Sequence, residues 1–299
     1  MSPSPSTVGP LEQTQRRLRV ARPEYPHVYT VGVGVPDGSG WLGLHDALPS
    51  GALFSWWETA LRRENPALPP TVAAVRVVGM LARVVLSRLT AALVLDRRAH
   101  DVSATNLLVH LDEDGRADRV AVRRPTVAVL PGDIAAGAPD TIVAPDLATL
   151  LDAAAAQAVA TLTPMIDAVH ALSRFGVVPA WNVAADAVLG TATFVPLYLG
   201  GDERAGRALG EALLDALVAR GARIGRRGTC EAVVRGGSEF QMPVRGSCCF
   251  SYRTDEETSR PGDQYCTTCP LLDVPTRARR FGVLLDTYVL PRWAGAPTG

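Results

Sequence analysis

Residues 72–95, VAAVRVVGMLARVVLSRLTAALVL, are the most apolar stretch of the chain. Their length suits a membrane span, but Arg76, Arg83 and Arg88 interrupt them, and a charge at bilayer depth is expensive. A long helix buried in a protein core fits better. On its N-terminal side, Ser50–Arg63 places Leu53, Trp56, Trp57, Ala60 and Leu61 at helical spacing, and NPALPP ends that helix. Leu11–Ala21 reads as a short charged helix. Tyr29–Val35 reads as a strand followed by a PDGSG turn. On the C-terminal side, residues 107–111 and 119–123 read as strands joined by DEDG, and Val127–Pro131 as a further short strand. Leu147–Phe175 reads as an Ala-rich helix kinked or broken at Pro164. Trp181–Leu189 follows as a shorter helix, then Glu203–Arg220, an amphipathic helix closed by Gly221. The expected class is α+β, with a mostly helical N-terminal region that carries a small β-sheet and a small C-terminal region of another composition.

That second region begins near residue 222. It is rich in Gly and Arg, with β-like runs at 229–235 and 239–245 and a final helix from about Arg277 to Leu290. The expected organisation is a disordered, Pro/Ser-rich segment at 1–10, an α+β region at 11–221 and a C-terminal region at 222–299. Thirty basic and thirty acidic residues cancel across 299 residues. A neutral balance argues against a general nucleic-acid binder. The 47% hydrophobic content excludes disorder of the whole chain. All the basic residues are arginine, whose forked guanidinium suits oxyanions.

The five cysteines are Cys230, Cys248, Cys249, Cys266 and Cys269, and four of them fall within 22 residues. An odd count, with no apolar leader at the N-terminus, argues against a secreted disulfide framework and for a cytoplasmic location. The spacing is Cys248-Cys249-x16-Cys266-x2-Cys269. A C-x-x-C turn lets two sulfurs converge on one metal, and four thiolates suit a tetrahedral zinc or an iron–sulfur cluster. A thiol redox switch or unrelated buried thiols are the other readings. Neighbouring side chains on an extended strand point to opposite faces, so the vicinal pair needs a bend, to which Gly246 can contribute.

The stretch Arg245-Gly246-Ser247-Cys248-Cys249-Phe250-Ser251-Tyr252-Arg253, with Cys266-Thr267-Thr268-Cys269-Pro270-Leu271, resembles the C-terminal signature of the FhuF-like ferric-siderophore reductases. The resemblance covers about 25 residues directly. It implies that Cys248, Cys249, Cys266 and Cys269 hold a [2Fe–2S] cluster, making 222–299 an iron–sulfur region. It also implies one-electron reduction of Fe(III) in an imported siderophore, with Fe(II) released in the cytoplasm. The 16-residue gap is longer than is usual in that family and contains the polar insert TDEETSRPGDQY, read as a lengthened surface loop. The C-x-x-C knuckle suggests that Cys266 and Cys269 share one iron and the vicinal pair the other.

Around this assignment the expected substrate is a ferric siderophore of hydroxamate type. The electron donor is a separate protein such as a ferredoxin or a reductase, with no nucleic acid and no stable membrane insertion. Arg245 and Arg253 are candidates for tuning the cluster or attracting an acidic donor or substrate. No catalytic residue is expected beyond the cluster. GVGVPDGSG lacks the third glycine of a dinucleotide loop and there is no Walker A, so neither NAD nor ATP is expected. His100 and Asn106 sit in a segment resembling a His…Asn stretch of IucA-type siderophore synthetases. A capped turn leading into the hairpin is the plainer reading. Cys230, the scattered histidines and the Trp56–Trp57 pair read as structural. The alternatives from other classes are an iron–sulfur electron carrier, an iron or redox sensor, and a zinc-stabilised binding protein.

Overall fold

The computed structural model describes residues 9–21, 29–38, 40–47, 52–112, 117–250 and 265–294. The fold is α+β, about 55% helical with small mixed sheets. Helix α1 (Pro10–Ala21) starts on a proline, whose missing N–H has no helical partner at that position. Residues 1–8 of the expected disordered segment lie outside the described residues. Strands β1 (Gly32–Val33) and β2 (Trp41–Gly43) lead through the single turn α2 (Leu44–Ala47) to α3 (Ala52–Glu64). Of the expected strand Tyr29–Val35, only Gly32 and Val33 pair.

The apolar stretch forms one long helical rod. Helix α4 (Pro70–Ala82) runs through a π-helical turn at Arg83–Ser87 into α5 (Arg88–Asp96). Val72, Val77, Val85, Leu86 and Leu89 have no measurable exposure. Three helical stretches, Pro70–Asp96, Leu147–Ser173 and Val177–Leu199, are long and apolar enough to cross a membrane by length and composition. Here they pack on one another around the main core.

Strands β3 (Ala99–His100), β4 (Leu107–Leu111), β5 (Ala117–Val122), β6 (Val127–Val129) and β7 (Thr141–Val143) follow. They build a four-stranded sheet in the order β1-β5-β4-β2 and a three-stranded one in the order β3-β6-β7. The β4–β5 hairpin and β6 match their expected positions; the DEDG turn lies mostly outside the described residues. Strands β2, β3 and β7 were not anticipated, because two or three residues are too few to show a period.

Helix α6 (Leu147–Ser173) is capped by Asp146, which accepts the Thr149 N–H at 2.7 Å. It runs unbroken through Pro164, so of the expected kink or break the break does not occur. Pro164 and Ala160, whose carbonyl loses its bond, are both exposed, so water can take that carbonyl. Helix α7 (Val177–Leu199) is far longer than the expected Trp181–Leu189. Gly190 and Pro196 have poor helix propensity, yet burial of most of the helix outweighs it. Helix α8 (Glu203–Ala219) starts on an Asp202 cap and ends before Gly221, whose φ of +103° needs a glycine.

The C-terminal hairpin pairs β8 (Thr229–Arg235) with β9 (Ser238–Val244) across Gly236–Gly237. Helix α9 (Val274–Leu284) continues through a second π-helical turn, Leu285–Val289, into α10 (Leu290–Ala294). The final helix therefore starts earlier and ends later than expected. Phe240, Met242, Phe281, Leu285 and Val289 make a second core with Leu197 and Tyr198, at the C-terminal end of α7. That shared core fixes the hairpin and the C-terminal helix against the end of α7.

Candidate metal centre and its cavity

Strand β9 ends at Val244, and the cysteine loop starts there. The Arg245 amide donates to the Thr268 carbonyl at 3.0 Å, tying the strand end to the C-x-x-C turn. Gly246 is needed for close approach. A Cβ there would lie 2.7 Å from the Arg227 carbonyl carbon and 2.9 Å from the Gly228 nitrogen. The backbone bends at Gly246–Ser247, just ahead of the vicinal cysteines, and Phe250 after them takes a φ of +53°, unusual for a bulky residue. The Phe250 N–H donates to Cys248 Sγ at 3.3 Å. The Cys269 N–H donates to the Cys266 carbonyl at 3.0 Å, closing the C-x-x-C turn.

The Sγ atoms of Cys249 and Cys266 are 3.9 Å apart. A tetrahedron of thiolates with metal–sulfur bonds of about 2.3 Å has an edge of about 3.8 Å. The close pair thus joins the two arms of the motif, whereas the spacing suggested pairing within each arm. Both Cys248 and Cys266 interact electrostatically with Cys249 and Cys269, so the four thiols share one neighbourhood. Among the described residues, no three His, Cys, Asp or Glu side chains already stand at metal-holding separation. Completing a site requires Cys248 and Cys269 to turn in toward the Cys249–Cys266 pair. The donor chemistry fits a cluster or a tetrahedral metal: four thiols, a backbone N–H on one sulfur and a guanidinium beside them.

Two of the thiols are pushed toward the protonated form. Burial pushes Cys248 up, against the opposing Phe250 N–H. The hydrogen bond with Cys249, then burial, pushes Cys266 up. Metal binding here would release protons, because the ligand form is the thiolate.

Two charged residues that sequence reasoning did not single out hold the loops. Asp186 is the one charged residue of α7 and is only 8% exposed. It accepts the Gly246 N–H at 2.6 Å, the Ser247 N–H at 3.0 Å and the Ser247 hydroxyl. Arg245 Nε reaches the same carboxylate at 3.4 Å. Arg277 on α9 is likewise buried. It donates to the Cys269 carbonyl at 3.2 Å and to the Leu272 carbonyl, and pairs with Glu231 at 2.5 Å. The only available signal for Asp186 was a lone acid in an apolar run.

A cavity of about 770 Å³ opens beside the pair. Arg76, Gly79, Met80, Arg83 and Ser87 form its wall on the rod, and Arg88 also lines it. Val183, Asp186, Ala187, Gly190, Thr191 and Phe194 form the α7 wall at the same helical spacing. Arg245, Cys249, Cys266 and Thr268 form the third wall. Among the described lining residues, four are arginines and only Asp186 is a carboxylate. Burial, then Arg245 and Arg76, lowers the pKa of Arg83. Burial, then Arg83, lowers that of Arg88 to about 9. Burial also works against the Arg245 charge, but Asp186, Cys249 and Cys266 outweigh it and its pKa is raised.

The structure thus brings Cys248, Cys249, Cys266, Cys269 and Arg245 into one region. Arg253 and the long insert lie outside the described residues, apart from Tyr265. Cys230 lies on β8, half-buried, where Arg207 Nη1 donates to its sulfur at 2.9 Å. Asn106 is a structural staple: its amide donates to the Asp101 and Arg124 carbonyls and accepts the Arg124 N–H at 2.8 Å. His100 is 1% exposed, with neither ring nitrogen hydrogen-bonded among the described residues. Trp57 is fully buried in the main core, and the side chain of Trp56 lies outside the described residues. No family model matches the chain, and no curated protein matches it.

Proposed function

We propose that the protein is a cytoplasmic ferric-siderophore reductase that holds a [2Fe–2S] cluster through Cys248, Cys249, Cys266 and Cys269. The observation that carries this reading is the position of Cys249 and Cys266 on the wall of a large cavity. A cavity of about 770 Å³ lies within the range of small-molecule sites. A simple electron carrier has no use for such a space next to its metal. When bound, the cluster would supply electrons one at a time at low potential.

The chain's own residues do the rest. Asp186 and Arg277 fix the two loops that carry the thiols. Arg245 places positive charge next to Cys249 and Cys266, where thiolate ligands gather negative charge. The rod and α7 shape a space that brings a bulky ferric chelate against the same wall. Hard oxygen donors hold Fe(III) more tightly than Fe(II), so reduction of the substrate iron labilises it. Electrons are expected from a separate donor protein, with neither nucleic acid nor membrane insertion involved.

Anaerobic purification with iron and sulfide analysis, visible absorption and EPR tests the reading. The expected result is a coloured protein with about two irons and two sulfides per chain, EPR-active after reduction and reoxidised by a ferric siderophore. A colourless zinc protein would exclude the cluster. A cluster that no ferric chelate reoxidises would point to a carrier or sensor.

A further inference from the structure

We propose that Gly190 sets the size of the chelate that the cavity admits. The ferric complex lies against Gly190, facing the π-helical turn Arg83–Ser87, in the room that the absent side chain leaves. The inference rests on the ferric-siderophore reading above and names a residue that determines specificity for it.

Glycine is, after proline, the poorest residue for a helix interior. Where helices touch closely, packing accounts for it. On α8, a Cβ on Gly210 would lie 2.7 Å from Ala192 Cβ, so the approach of α7 demands the glycine. Gly190 has no such demand on it. It lies inside α7 and is half-buried. Yet among the described residues no atom lies within 4 Å of its Cβ position, and Gly190 lines the cavity. A side chain there would grow into that space. The opposite wall departs from a regular helix at the same level. The Gly79 Cβ position is 3.9 Å from Val183 Cγ1, and Ala91 shares a cluster with Val195. Both pairs have the same separation in sequence, so the rod and α7 run side by side in one direction. That register sets Gly190 beside the π-helical turn, from which Arg83, Val84 and Ser87 line the cavity. Single π-helical turns are rare and occur frequently at functional sites.

The position also suits the chemistry. Gly190 follows Asp186 by about one helical turn, or about 6 Å along the axis. Asp186 holds the cysteine loop through the Gly246 and Ser247 amides. A chelate seated on Gly190 is therefore one turn from the anchor of the wall that carries Cys249 and Cys266. A larger side chain at this position would take up the seat itself, and the loss should grow with the size of the ligand. A change of one methylene in a binding pocket is worth about tenfold or more in discrimination.

The test uses the full chain as purified and gallium(III) in place of iron, so that binding is read without reduction. Calorimetric titration compares gallium ferrichrome, a bulky neutral tris-hydroxamate, with gallium tris(acetohydroxamate), which has the same donor set and charge in a smaller complex. Gly190→Leu should bind gallium ferrichrome at least about tenfold more weakly than the wild type, and the small complex less than about threefold more weakly. Gly190→Ala should fall between the wild type and Gly190→Leu for the bulky complex. The thermal midpoint of Gly190→Leu should be no lower than that of the wild type, because the side chain enters open space. The proposal is overturned if Gly190→Leu keeps wild-type affinity for gallium ferrichrome or loses both complexes alike. A sharp fall in its thermal midpoint or a failure to fold also overturns it, since the position would then be packed rather than open. So does a wild-type protein that does not bind gallium ferrichrome. The corresponding ferric complexes, added to protein reduced with dithionite, separate the two readings. Size-dependent gallium binding without ferric reduction defeats the reductase and leaves the selection standing. Reduction of ferric ferrichrome at equal rates by the wild type and Gly190→Leu, with equal gallium binding, does the reverse.

Discussion

Asp186 links helix α7 to the cysteine loop. Its carboxylate sits in an apolar helix, and the amides and hydroxyl of Gly246 and Ser247 compensate its burial. Asp186→Ala leaves two buried or half-buried N–H groups without their acceptor. We expect a loss of about 3 kcal/mol in chemical denaturation, together with a fall in bound metal per chain. Unchanged stability and metal content would remove the clamp from the account. Gly246→Ala should act at the same joint, because its methyl would press on Arg227 and Gly228 backbone atoms. The cysteines themselves are legible in the sequence, since their spacing is local. Asp186 is not, because the loop it holds lies 60 residues away.

At the level of elements, α7 and α8 pack closely enough to make glycine obligatory at one point and optional at another. A Cβ on Gly206 would collide with the Ala192 carbonyl oxygen and lie 2.6 Å from Pro196 Cγ. Gly206→Ala should therefore destabilise the protein by about 2 kcal/mol, through forced separation of the two helices. Gly190, on the cavity side of α7, has nothing within 4 Å of its Cβ position. Gly190→Ala should raise stability by up to about 1 kcal/mol, because alanine is the better helix former. Thermal denaturation of the two variants side by side checks both signs. The same helix shows why its length was misread. Gly190 and Pro196 carry breaker signals, while the burial that overrides them comes from α4, α5 and α8. The hairpin β8–β9 was readable because its pattern and its Gly236–Gly237 turn are contiguous.

For the whole molecule, two buried groups give stability opposite pH dependences. Burial raises Glu203 from 4.5 to about 7, against the Gln241 N–H, which lowers it, and with Asp202 adding to the rise. The folded state then binds the proton more tightly than the unfolded one. This contribution is present below 4.5 and lost as pH rises through about 7. Burial, then Arg88, lowers His100 from 6.5 to about 4, with Asp101 opposing. Its contribution is present above 6.5 and lost as pH falls through about 4. The two slopes oppose each other between these limits. Glu203→Gln should therefore make stability rise with pH across that window, and His100→Leu should make it fall, as denaturant midpoints at several pH values will register. The sequence by itself determined the α+β class, the main helices, the C-terminal hairpin and the grouping of four cysteines, since each is written in neighbouring residues. It also displayed Arg76, Arg83 and Arg88, but only as interruptions of an apolar run. Tertiary structure alone decided that these arginines line the cavity beside Cys249 and Cys266, and that Asp186 and Arg277 hold the loops. A pattern of periods and turns encodes what each segment becomes. Which distant segments share a wall is set by the burial of their apolar faces against one another.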